Sequence, residues 1–239
     1  MVACMNRREV IGSITGAVVA TAALSRSAEA KGERPAFAPV ASGTHKAVPL
    51  PFDPAKLAGL SEKLLTSHHA NNYAGAVKNL NAVELALDKV TKDTPSFEVS
   101  GMRERELTFA NSVYLHEAYF GNLGGNGKAS GPFSTALATQ FGSAARWEEL
   151  VRATAMSLGG GSGWVVIGLS QLTNDLRIVG TAGHAQALAA GAPILVLDMF
   201  EHAYAMDYGA GHAKYIDAFF SNLNWAALDR RWQTARTRR

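Results

Sequence analysis

The strongest constraint on the fold is a change of hydrophobic period along the chain. From Asp53 to about Val90, positions such as Leu57, Leu60, Leu64, Val77, Leu80 and Leu87 recur at helical spacing with no proline after Pro54, which predicts one or two long helices. Pro95 breaks that run within Thr91 to Ser100, and a further helix is expected from about Arg103 to Asn122, stopped by Gly124-Gly125-Asn126-Gly127. Helix-like segments at about 132–142 and 144–158 then give way at Gly159-Gly160-Gly161-Ser162-Gly163 to three short β-type runs: Trp164 to Ser170, Leu176 to Thr181 and Ile194 to Asp198. Thr173-Asn174-Asp175 suits the turn of a hairpin between the first two, while Gly211 to Leu223 and Asn224 to Arg236 return to helix. The expected class is α+β: an N-terminal long helical hairpin over 49–126, plus a C-terminal α/β domain over 127–239 with a small three-stranded antiparallel sheet.

The first thirty residues stand apart. Asn6-Arg7-Arg8-Glu9-Val10-Ile11 precedes a Gly- and Ala-rich apolar stretch from Gly12 to Leu24, and Ala28-Glu29-Ala30 offers a small-residue cleavage site. This reads as a twin-arginine export signal and places the protein in the periplasm or outside the cell. The apolar stretch falls short of the roughly 20 residues that span a bilayer, so no stable membrane insertion is expected. Residues 31–48, rich in Pro, Ala, Gly and Thr without periodicity, read as a flexible lead-in. Cys4, the one cysteine, falls in the leader, so an exported chain has neither a disulfide nor a thiolate ligand. The leader also carries one of the three net positive charges, and much of the remaining basic excess sits in the tail at Arg230, Arg231, Arg236, Arg238 and Arg239. That tail reads as a solvated end, and nothing else supports nucleic-acid binding.

Chemistry concentrates where the last apolar run, Ala192 to Leu197, ends in Asp198-Met199-Phe200-Glu201-His202-Ala203-Tyr204. Carboxylate oxygen with imidazole nitrogen suits iron, manganese or zinc; calcium prefers more oxygens, and structural zinc usually prefers thiolates. Two ligands are too few, so others must come from elsewhere in the chain, and without a thiolate they must be His, Asp or Glu. His45 in the lead-in and His212 in a Gly-rich turn read as solvated. His68 and His116 each lie on a largely apolar helical face, where a lone histidine reads equally as a hydrogen-bonded core residue.

Taken together, His68 followed by Asn79-Leu80-Asn81, His116 followed by Tyr119-Phe120, then Gly161-Ser162-Gly163-Trp164 and finally DMFEHAY occur in the order shown by the iron/manganese superoxide dismutase family. The chain resembles that family from about Leu50 to Trp232. The resemblance implies one iron or manganese ion per subunit, held by His68, His116, Asp198 and His202, with superoxide anion as substrate. It implies that His184 stands where manganese members carry a glutamine bonded to the metal's solvent, and that Ser112 occupies the glutamine position of iron members, too short to reach. It also implies a homodimer, in which Glu201 reaches the partner's copy of His202 and Tyr204 belongs to the same interface; Tyr204 reads equally as an ordinary packed aromatic.

Departures from the family pattern cluster on one side. Asn72 and Ala76 stand where a gateway histidine and tyrosine are expected, Phe120 and Phe200 where tryptophans are usual, Val166 in place of a second tryptophan, and Ala205 in place of a tyrosine. Tyr73, three residues before Ala76, is the one candidate replacement proton donor, and ordinary packing is the reading preferred for it. The expected function is superoxide dismutation at a mononuclear iron or manganese site. The alternative is an exported metal-binding or redox-sensing protein that keeps the fold with weak or no turnover. A zinc hydrolase comes third, because no glutamate at HExxH spacing supplies a general base.

Overall fold

The computed structural model describes residues 42–158 and 163–237. Residues 1–30, expected to be an export leader, most of the lead-in, Gly159 to Ser162 of the Gly-rich break, and Arg238 and Arg239 lie outside them.

The first helical run begins after a 3-10 turn, Pro54–Lys56, with the Ser61 hydroxyl accepting from the Leu64 N–H as an N-cap. It continues as α1 (Glu62–Ser67), a π-helical turn (His68–Tyr73) and α2 (Ala74–Leu87). Widened π turns recur at functional sites, and this one turns both His68 and Tyr73 inward. The next helix, α3 (Ser96–Gly121), starts well before the expected Arg103. Pro95 does lie in the break after the first run, but at the N-cap of α3, because the ring already holds a near-helical φ and its missing N–H has no partner to lose there. α2 packs against α3, which makes the helical hairpin.

Beyond it come α4 (Gly131–Phe141) and α5 (Ala144–Ser157), then β1 (Trp164–Ser170), β2 (Leu176–Thr181) and β3 (Gly191–Asp198) in one antiparallel sheet of order β2-β1-β3. β3 begins before the expected Ile194, because Ala192 and Pro193 pair with Leu169 and Gly168 where a register shift after Ile167 accommodates the proline. A 3-10 turn (Glu201–Ala203), the short α6 (Ala205–Tyr208), α7 (His212–Ser221) and α8 (Trp225–Thr237) complete the chain.

Ile194 to Asp198 are all fully buried, as expected of a strand covered on both faces: α3 and α8 pack on β3, and α5 on β1 and β2. Each fully buried Leu or Val side chain there contributes about 1.5–3 kcal/mol. The register sets Trp164 opposite both Thr181 and Asp198, so the loop after β2 and the end of β3 leave the sheet at the same end. The Gly124–Gly127 stop is also a close crossing: Gly125 N–H donates to the Asn222 carbonyl at 3.0 Å, and a Cβ on Gly125 would come within 2.1 Å of the Leu223 oxygen.

Two expectations about the ends change. Residues 42–48 of the lead-in run along α2, with the Asn81 carboxamide bonding both the N–H and the carbonyl of His45, and the His45 ring paired with Glu84 at 2.8 Å. Arg231 is no solvated tail residue: it reaches inward to the Asn122 side-chain oxygen at 2.8 Å and to the Ile194 carbonyl. Asn122, at the C-cap of α3, passes the link on to the Val196 carbonyl. The helix bearing His116 is thereby tied to the strand bearing Asp198.

Candidate metal centre

Four elements each deliver one side chain to a common point. His68 comes from the π turn, His116 from α3, Asp198 from the last position of β3, and His202 from the 3-10 turn that follows. One ligand-type atom from each lies within 4.8 Å of all the others. His68 and His202 hold Nε2 at 3.2 Å from Asp198 Oδ2, and His116 holds its own at 3.7 Å.

Local bonding aims these atoms. The Phe200 N–H donates to Asp198 Oδ1 at 2.8 Å, a side-chain turn that leaves Oδ2 for the imidazoles, while the Tyr215 hydroxyl donates to the Asp198 carbonyl at 2.7 Å. His116 Nδ1 lies 2.7 Å from the Ser112 carbonyl, which only accepts, so the proton resides on Nδ1 and Nε2 presents a bare lone pair. That Nε2 and the Nε2 of His68 are buried without a hydrogen bond among the described residues. The His68 contact with Asp198 is close enough for attraction but out of line for a hydrogen bond. The bare lone pair of His116 faces the Asp198 carboxylate oxygen at 3.7 Å in a buried pocket, and a cation between them relieves that repulsion. The residues therefore fit a metal ion.

Protonation points the same way. Burial pushes His116 down to about 3, with the nearby Asp198 pulling against it, and burial likewise lowers His68 and His184. Burial favours the neutral form of Asp198, yet His202 and His68 hold its carboxyl far below the usual range. Neutral imidazoles around an ionised carboxylate are the forms a metal needs.

His184 sits beside this cluster with its ring stacked on Phe200 at 4.5 Å, and Phe200 is stacked in turn on His202. Trp164 donates its indole N–H to His184 Nδ1, which leaves the imidazole proton on Nε2, and Asn111 anchors the loop through the His184 carbonyl. Neither contact was legible beforehand: Trp164 stood out only as part of a motif, and Asn111 meets His184 across 73 positions of sequence. Ser112 matters here through its backbone carbonyl, which residue type does not disclose.

Tyr73 packs. Its hydroxyl donates to Glu117 at 2.8 Å and accepts from the Val48 N–H at 2.9 Å, burial pushes it up to about 12, and it lines a separate cavity behind Phe120. It is not a proton donor turned toward the cluster. Asn72 and Ala76 do line the cleft that reaches His116, His184 and His202. Glu201 is exposed, whereas Tyr204 is buried within its own chain, edge-on to His212 at 5.0 Å. His212 is thus half-buried rather than solvated.

A helical hairpin joined to a small antiparallel α/β part, with three imidazoles and a carboxylate converging from both, defines a protein arranged around one metal-sized pocket. Residues 129–231 match the family model described as iron/manganese superoxide dismutases, C-terminal domain. An iron superoxide dismutase of Cupriavidus metallidurans is 46% identical over 188 residues, 78% of this chain and 95% of that protein. One from Aquifex pyrophilus is 31% identical over 203 residues, 81% and 94% of the two chains, and a manganese superoxide dismutase of Haloferax volcanii is 32% identical over 192 residues, 78% and 94%. The chain belongs to the iron/manganese superoxide dismutase family, a family of oxidoreductases.

Proposed function

We propose that this protein is a superoxide dismutase holding one iron or manganese ion with His68, His116, Asp198 and His202. The observation that carries the reading is the convergence of three imidazole nitrogens on one buried carboxylate oxygen, two of those nitrogens having no hydrogen bond of their own. When bound, the ion supplies one-electron chemistry, oxidising one superoxide to oxygen and reducing a second to peroxide. The chain's part is to admit the anion, hold it and supply protons. His116 spends its ring N–H on the Ser112 carbonyl, whereas the Trp164 bond leaves the His184 proton on Nε2, so His184 is the donor toward bound solvent or substrate. Glu201 is free on the surface to reach a partner subunit, which supports a homodimer in which it orients the partner's copy of His202. The leader over residues 1–30 supports twin-arginine export to the periplasm.

The test is metal analysis of protein purified from the periplasm, followed by superoxide-decay assays after loading with each metal. Decay no faster than free metal gives would reject the enzyme. The second reading, a metal-binding or redox-sensing protein, is favoured by one observation: Asn72 and Ala76 line the cleft and the Tyr73 hydroxyl is engaged elsewhere, so no tyrosine faces the pocket among the described cleft residues. Equal trace activity in the native protein and in Asp198→Ala would favour it.

A further inference from the structure

The cleft above the metal pocket is larger than a diatomic substrate requires. It is lined by Asn72, Ala76 and Asn79 of the first helical run and by Phe109 of α3, together with His116, His184 and His202. Its volume is about 240 Å³. That is many times the ~10–15 Å³ that one water needs by the same measure, whereas superoxide is only two oxygen atoms. Among the described residues no Lys, Arg, Asp or Glu lines it, so none of them selects a small anion on the way in. The side chains of Asn72 and Asn79 make no hydrogen bond among the described residues and are free to donate to a ligand's oxygens. Phe109 adds an aromatic wall, and the Ala76 methyl leaves open the space a large side chain would fill.

We propose that this cleft admits planar vicinal dioxygen ligands, of which catecholate is the type, to the same pocket. The proposal rests on the metal reading of the four residues and extends it to a ligand class. Anionic oxygen pairs suit hard trivalent ions. Four protein ligands leave coordination positions open, and the cleft matches a six-membered ring carrying adjacent oxygens in both size and polarity. Ala76 and Asn72 are then the residues that set ligand size, and closing either one excludes the ring while sparing a linear triatomic anion.

The experiment uses the full chain in its native assembly, loaded with ferric iron and titrated separately with azide and with nitrocatechol, reading ligand-to-metal charge-transfer absorption. Both ligands are expected to produce their bands in the native protein. In Ala76→Tyr, and independently in Asn72→His, catecholate affinity should fall by roughly tenfold or more while azide affinity changes by less than about threefold. The azide band confirms in each variant that the fold and the loaded pocket persist. An azide band without a catecholate band in the native protein overturns the proposal, as does catecholate affinity unmoved in both variants. Absence of both bands from protein carrying iron overturns the pocket reading and this proposal with it. Catecholate binding by protein that shows no superoxide decay upholds the proposal while rejecting the enzyme.

Discussion

The indole N–H of Trp164 donates to Nδ1 of His184 across 3.0 Å, joining the first residue of β1 to the loop after β2. Because an indole nitrogen only donates, this bond fixes which imidazole nitrogen keeps the proton. Trp164→Phe removes the donor and frees the His184 ring to flip or change tautomer. Superoxide decay should drop roughly 10- to 100-fold with metal content preserved. Full activity at full metal content would show that the orientation of His184 is not used.

Asp198 is the only carboxylate in the four-residue cluster, and its loss leaves three neutral imidazoles. Binding to the native state alone raises stability by about 2.7 kcal/mol at a free metal concentration a hundred times Kd. Adding iron or manganese should therefore raise the thermal midpoint of the native chain and leave that of Asp198→Ala unmoved. Equal rises in the two proteins would remove Asp198 from the ligand set.

Acid should weaken the metal-free chain in two stages. His116 falls from an ordinary 6.5 to about 3 through burial, so below pH 6.5 the unfolded chain takes up a proton that the fold refuses. Unfolding then binds protons, and stability declines with falling pH by about 1.4 kcal/mol per pH unit for each such histidine. His68 and His184, lowered the same way, steepen the decline. Asp198 adds a further loss below its ordinary 3.8, where only the unfolded carboxyl is protonated. Denaturant midpoints of metal-free protein should be level above about pH 7 and fall from there toward pH 3; a flat profile between pH 7 and pH 4 would contradict this.

Glu201 is exposed next to His202, which belongs to the metal cluster. In the proposed homodimer Glu201 orients the partner's copy of His202, so Glu201→Ala should shift sedimentation from dimer toward monomer and weaken metal retention along with it. An unchanged sedimentation profile in the variant would separate Glu201 from assembly.

Asn122 accepts from Arg231, and its amide donates to the Val196 carbonyl. Asn122→Ala leaves a buried carbonyl unpaired and the guanidinium short of an acceptor, at a cost of about 1–3 kcal/mol. The urea midpoint should drop accordingly with an unchanged slope. A change below about 0.5 kcal/mol would mean that water replaces the lost bonds.

The long helices, the three strands and the hairpin turn at Thr173-Asn174-Asp175 follow from periodicity and turn chemistry, which belong to consecutive residues and act before any tertiary contact forms. Pro95 shows the limit of that local reading, since a proline marks a boundary without saying on which side the helix lies. The order of His68, His116, Asp198 and His202 along the chain was equally legible, as was the loss of bulk at Asn72 and Ala76. Their convergence was implied by the family resemblance and not by spacing, because physically it depends on α3 and β3 packing together and on the Asn122–Arg231 link that joins them. Packing likewise turned the Tyr73 hydroxyl toward Glu117, drew Arg231 inward and gave His184 its tautomer through Trp164. Residue type announces which chemistry a side chain can perform; the direction in which it points, and which of its atoms is left without a partner, are set by neighbours dozens of positions away and so exist only in the folded chain.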